Sequence, residues 1–194
     1  GALREVLRHQ AVKTVRLVEI EEGVITFAKK WFPKVSDGAF DDTRVSVTIA
    51  DGAQFVQETD ETFDLIIVDS TDPVGPGAAL FTPEFYAGCR RILRDEGIVV
   101  SQCGLPFLQA EELKRAAAHQ RTAFSNVRFY GITVPAYSGG VMTLGFATDS
   151  DQRPETADGL RLRIEASGMP FQYYAPGVHA AAFRLPPYIA KLVA

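Results

Sequence analysis

Residues 65–81 read LIIVDSTDPVGPGAALF, and the fold class turns on how this stretch is taken. Leu65 to Val68 form a short unbroken apolar run, the composition of a strand buried inside a sheet. The run stops at Asp69, and a second carboxylate, Asp72, follows three positions later. Pro73, Gly75, Pro76 and Gly77 then keep the chain out of a helix until about Thr82. A core strand that ends in two acids and a stiff, kinked loop calls for an explanation.

Outward from it, strand-like and helix-like segments alternate. TVRLVEI (14–20) reads as a strand, and EEGVITFAKKWF (21–32) as an amphipathic helix closed by Pro33. RVSVTI (44–49) is a second strand, and ADGAQFVQET turns into a short helix. After FDLIIVD comes the helix PEFYAGCRRILRDEG, expected to end at Gly97, then the strand IVVSQC and the helical pattern LQAEELKRAAAHQRTAF. NVRFYGITV and VMTLGFAT, separated by PAYSGG, are close enough to pair antiparallel at an edge. A helical tail runs through PETADGLRLRIEASG to LPPYIAKLV. This alternation predicts an α/β fold: a Rossmann-like, methyltransferase-type, mostly parallel sheet with an antiparallel edge strand. GALREVLRHQ opens as a helix with no strand before it, so the first strand of such a sheet is missing.

The 194 residues suffice for one α/β domain, and 46% apolar and 23% charged residues are ordinary for a globular chain. A net charge of −4, with no long Lys/Arg cluster, argues against nucleic acid as a partner. No apolar run is long enough to span a membrane, and no signal peptide is recognisable. Cys89 and Cys103 show no metal-like spacing and read as reduced, buried thiols of a cytoplasmic protein. His9, His119 and His179 are scattered, and Trp31 and the many phenylalanines read as core.

Ligands of open parallel sheets bind beyond the carboxyl ends of the strands. At those ends stand Glu19, Asp51, Asp69 and Asp72. Glu19 suits two ribose hydroxyls, since one carboxylate can accept both hydrogen bonds; it could equally be a solvated charge beside Glu21 and Glu22. Asp51 could receive an adenine amino group while Gly52 lets the backbone approach the ring, and it could also cap the following helix. Asp69 and Asp72 fit either a metal held by oxygen ligands or a site that holds and deprotonates amines. An acid-rich rim with few bases favours a cationic substrate.

In this order and spacing, VEIEEGVI, ADGAQF, DSTDPVGPGAALF, SQCG and VPAYSGGVMTLGFAT resemble the polyamine aminopropyltransferases, the bacterial spermidine synthases among them. YYAPGVHAAAFRLPPYI is similar to the tail of the bacterial enzymes. The resemblance implies that residues 1–194 are a C-terminal Rossmann-like catalytic domain that moves the aminopropyl group of decarboxylated S-adenosylmethionine to putrescine. It implies no cofactor and no metal beyond that co-substrate, and a homo-oligomer. It would make Glu19 the ribose ligand, Asp51 the adenine ligand with Gly52 along the ring, and Asp69 the general base. Asp72 would hold the diamine, and Gln102 and Tyr137 would line its site.

One departure is large. The family's glycine-rich loop, the strand before it and an N-terminal β-domain have no counterpart here, so a gap at mid-sheet is expected. The chain is therefore expected to be a truncated or processed form, inactive alone, or to be completed by a separate chain. Two further readings stand beside aminopropyl transfer: an S-adenosylmethionine-dependent amine N-methyltransferase, and a non-catalytic nucleoside-binding remnant.

Overall fold

The computed structural model describes residues 1–138, 140–151 and 158–194. The chain divides into two compact units, residues 1–59 and 60–194.

In the first unit, β1 (Val15–Glu19) and β2 (Val45–Ile49) pair in parallel, Val15 opposite Val45 and Glu19 opposite Ile49. α1 (Ala2–Leu7) precedes them, and α2 (Glu22–Trp31) and α3 (Pro33–Ser36) connect them. α2 starts where the Glu21 carboxylate accepts from the Gly23 N–H and stops before Pro33, whose ring disfavours helix in the residue ahead of it. Arg44 holds the entrance to β2: its guanidinium makes a two-pronged pair with Asp42 and donates to the Leu7 carbonyl at 2.9 Å. α4 (Gly52–Glu58) closes the unit. Contrary to expectation, Trp31 is not core: it is 60% exposed, and Val24 and Phe27 on the same face of α2 are at least half exposed. A helix on a two-stranded sheet has little surface to lie against, and only its Ile25 and Ala28 stripe is half-buried.

The second unit holds a mixed sheet of order β3–β4–β6–β5, made of β3 (Phe63–Val68), β4 (Leu93–Gln102), β5 (Asn126–Thr133) and β6 (Val141–Thr148). β3 and β4 are parallel; β6 runs against both β4 and β5. The antiparallel strand thus lies one place in from the edge, with β5 outermost, because the short return after β5 lets β6 fold back between β5 and β4. Among the described residues β1 pairs with β2 alone, and β3 with β4 alone.

Two local expectations change. Residues Gly75–Phe81 form a 3-10 helix, where the sequence reading expects a kinked loop with no helix until about Thr82; Pro76 lies in its first turn, where no N–H is required. α5 (Pro83–Arg91), capped by the Thr82 hydroxyl, ends well before Gly97. Sheet pairing takes over there: the Ile92 carbonyl receives the Phe63 N–H at 2.9 Å, and Leu93 pairs with Phe63. Residues 94–97 then bulge before Ile98 resumes opposite Leu65, with Glu96 at a φ of 63° and Arg94 reaching Asp64 at 2.6 Å.

α6 (Ala110–Ala123) lays Leu113, Ala116, Ala117, Gln120 and Ala123 on its buried face. The core gathers Leu113, Ala116 and Ala117 with Cys103, Phe129, Ile189 and Val193. Of the tail, residues 152–157 lie outside the described residues; α7 (Asp158–Ser167), α8 (Pro176–Ala182) and α9 (Pro187–Ala190) follow. Arg121 donates to the Val193 carbonyl, fastening the tail on α6. No described helix is long and apolar enough to cross a membrane.

Ile189 is fully buried in that core. Ile189→Ala is expected to lower stability by about 2–5 kcal/mol in urea denaturation, and an unchanged midpoint would show that the tail does not contribute to the core.

Candidate active site

In the second unit the β3–β4 register fixes the rim. Val68 lies opposite Ser101, so Asp69 and Gln102 leave the sheet side by side. Asp69 and Asp72 are both exposed. Between them, the Thr71 carbonyl accepts from Gln102 Nε2 at 3.1 Å and from the Ser70 hydroxyl at 3.0 Å. The Val74 N–H donates to the Asp72 carbonyl at 2.6 Å, closing a tight turn. Gly77 is required by close approach: a Cβ there would stand 2.6 Å from Thr71 Oγ1 and 2.8 Å from the Asp72 carbonyl oxygen. Tyr137 belongs to the turn between β5 and β6, where its N–H donates to the Val134 carbonyl at 3.0 Å, and its side chain is 50% exposed. Since β5 runs parallel to β4, this turn shares the rim with Asp69 and Gln102. Gly139 of the same turn lies outside the described residues.

Behind the rim lies a polar cluster that sequence reasoning missed. Gln120, fully buried on α6, donates through Nε2 to Ser101 Oγ at 3.2 Å, with Cys103 Sγ at 3.3 Å and the Tyr86 hydroxyl at 3.4 Å. Its signal was a glutamine in phase with Leu113, Ala116 and Ala117, an amide where the helical stripe calls for an apolar side chain. Gly145 on β6 makes room for it, since a Cβ there would lie 2.4 Å from Gln120 Oε1. Burial pushes the Cys103 thiol up to about 11 and the Cys89 thiol up to about 12, and it raises the Tyr86 phenol as well. Both cysteines are free, as the sequence predicts.

The first unit carries the remaining three residues at the carboxyl ends of its parallel pair. Glu19 ends β1, and one of its carboxylate oxygens accepts from the Glu21 N–H at 3.0 Å. Asp51 caps α4, Oδ1 accepting from the Ala53 N–H at 2.7 Å, and Gly52 opens that helix. The capping alternative is therefore realised, with the second carboxylate oxygen left for another donor. Among the described residues no group of three or more His, Cys, Asp or Glu side chains is arranged to hold a metal ion. The structure thus groups Glu19, Asp51 and Gly52 in one unit and Asp69, Asp72, Gln102 and Tyr137 in the other.

Residues 1–156 match the family model described as the spermine/spermidine synthase domain. The chain is 46% identical over 193 residues to a polyamine aminopropyltransferase of Ruegeria sp. (strain TM1040), covering 99% of this chain and 68% of that protein. It is 45% identical over 188 residues to a polyamine aminopropyltransferase of Salmonella arizonae, covering 96% of this chain and 66% of that protein. Among solved structures, a spermidine synthase in complex with the transition-state analogue AdoDATO is similar with a TM-score of 0.90 at 34% identity. That match covers all of this chain and 65% of the other. The spermidine synthase of Thermotoga maritima is similar with a TM-score of 0.88 at 33% identity, and 64% of it is covered. The chain thus spans about two thirds of the length of these relatives.

Gly77→Ala is expected to force Thr71 and the Asp72 carbonyl aside. The overpacking should cost about 1–3 kcal/mol, seen as a lower denaturation midpoint; a midpoint equal to that of the unaltered protein would show that the loop yields freely.

Proposed function

The chain belongs to the spermine/spermidine synthase family, and from that premise we propose that it transfers the aminopropyl group of decarboxylated S-adenosylmethionine to putrescine. The products are spermidine and methylthioadenosine. One observation carries the proposal: Asp69 and Asp72 stand exposed at one strand end, on a loop whose backbone is tied down between them.

Putrescine arrives as a dication, and an ammonium has no lone pair with which to attack. Asp69 takes a proton from the attacking nitrogen. That nitrogen forms a bond to the methylene beside the donor's sulfonium sulfur, and the carbon–sulfur bond breaks with its electrons going to sulfur. A neutral thioether leaves, so the displacement is helped chiefly by in-line positioning. Asp72 holds the distal ammonium as a charge-assisted acceptor. Tyr137 offers a ring face to the methylenes and a hydroxyl to an amine. For the donor's nucleoside, Glu19 accepts from the ribose hydroxyls. The uncapped oxygen of Asp51 accepts from the adenine amino group, and Gly52 lies along the ring. Acids at the rim collect two cationic reactants. No cofactor enters this scheme, because the sulfonium carries its own leaving group. We also propose a cytoplasmic homo-oligomer; two free, buried thiols fit a reducing compartment.

The test is mass spectrometry of the products formed by the intact protein carrying these residues, given putrescine with decarboxylated or ordinary S-adenosylmethionine. Spermidine with methylthioadenosine is expected from the decarboxylated donor; methylated putrescine from the ordinary one would replace the proposal with methyl transfer. Asp69→Asn is expected to lower kcat by about 100- to 10,000-fold with donor binding kept, and near-normal turnover would remove Asp69 as the base. Asp72→Ala is expected to raise the putrescine KM by about 10- to 100-fold; an equal loss for the donor would refute its role as amine anchor.

A further inference from the structure

We propose that Gln102 is a positioning residue whose side-chain amide clamps the Asp69–Asp72 loop to the end of β4 and so sets where the two carboxylates stand. The inference deepens the function proposed above and rests on it for its kinetic consequence, though not for its structural one.

Gln102 is the last residue of β4 and is 4% exposed. Its Nε2 donates to the Thr71 carbonyl at 3.1 Å, and its Oε1 accepts from the Gly104 N–H at 3.0 Å. A carbonyl cannot donate and a backbone N–H cannot accept, so these partners admit only one orientation of the amide. Thr71 lies two residues after Asp69 and one before Asp72, so the clamp grips the loop between the two acids. The other hydrogen bonds described for the loop, from the Ser70 hydroxyl to the Thr71 carbonyl and from the Val74 N–H to the Asp72 carbonyl, are internal to it.

The opposite jaw is rigid. The Gly104 carbonyl accepts from the Thr143 N–H at 2.9 Å, and the Cys103 N–H donates to the Thr143 carbonyl at 2.8 Å, so β6 holds this end of β4. Side chains alternate along a strand, and Ser101 and Cys103 on the other face are held by Gln120. Gly104 turns at a φ of +80°, presenting its N–H back to Gln102; the next N–H, of Leu105, is taken by the Gln109 side chain at 2.8 Å. Loss of the Gln102 donor would therefore release the loop and leave the sheet intact.

Gln102→Glu separates this role from a merely structural one. The carboxylate still accepts from Gly104 but sets a negative oxygen against the Thr71 carbonyl. The protonated acid restores an O–H donor to that carbonyl. Asp69 and Asp72, on the loop that position 102 holds, favour the protonated form, as does burial. Cys103 and Tyr86 lie behind β4 and stay protonated, and His119 of α6 is engaged with the Phe81 carbonyl at 2.7 Å. Residues 105–109 and 143–145 carry no titratable group.

At pH 8, Gln102→Glu is expected to raise the putrescine KM about tenfold while the donor KM stays within about twofold. Its activity relative to the unaltered protein should recover as pH falls toward 6. Gln102→Met should show a deficit independent of pH. Equal effects on both substrates, or a Gln102→Glu deficit that does not recover, would overturn the proposal. Amide exchange gives a readout free of activity: Gln102→Met should speed exchange across residues 70–77 and leave α6 unchanged. Unchanged exchange in the loop, or acceleration throughout α6 as well, would also overturn it. If the unaltered protein forms no spermidine, the aminopropyl-transfer reading fails, and the exchange measurement still decides the clamp.

Discussion

A buried amide left without partners costs more than the same amide in water, so it binds its surroundings together wherever it sits. The second unit places two such amides back to back across the end of β4. Gln120 grips Ser101 and Cys103 on one face, and Gln102 grips Thr71 and Gly104 on the other. Everything at the rim depends on this pinning: β3 delivers Asp69 at the height set by its register with β4, and Gly104 turns the chain away at a fixed point. Two of the glycines are small for the same reason. Gly145 stands where a Cβ would meet Gln120, and Gly77 where it would meet Thr71.

Much of the fold was legible because its signals are local. The strands around Val15–Glu19, Val45–Ile49, Phe63–Val68 and Val141–Thr148 follow from short apolar runs bounded by turn residues, and α5 begins where Thr82–Pro83 marks a cap. Where prediction slipped, a longer-range pairing had won. Arg91 ends α5 because Ile92 and Leu93 find Phe63 across the sheet, a partner that no helical period reveals. Trp31 looked like core because the apolar face of α2 is clear in sequence; how much surface lies opposite that face is not.

The candidate site was legible in a different way. Asp69 and Asp72 stood out because two acids on a proline-stiffened loop after a buried strand have no structural explanation as a pair. Asp51 carried two readings, and the structure realises the cap, which occupies one oxygen. Gln102 was named from resemblance alone, as a residue lining the diamine site; its bonds to Thr71 and Gly104 could not be read from spacing, since they join segments thirty-odd residues apart as well as neighbours. Gln120 escaped notice because a single polar residue in an apolar stripe is easily taken for a helix edge.

The depth of the cysteines has a chemical consequence. Oxidants and electrophiles attack the thiolate, and a thiol whose acidity is pushed to about 11 is ionised only about once in ten thousand molecules at neutral pH. Cys103 is one residue from Gln102, so a sulfenic acid or a bulky adduct there would pry apart the strand end on which the acidic loop rests. Burial keeps this sulfur unreactive, and the end of β4 is thereby insulated from peroxide and disulfide stress without any dedicated protective group.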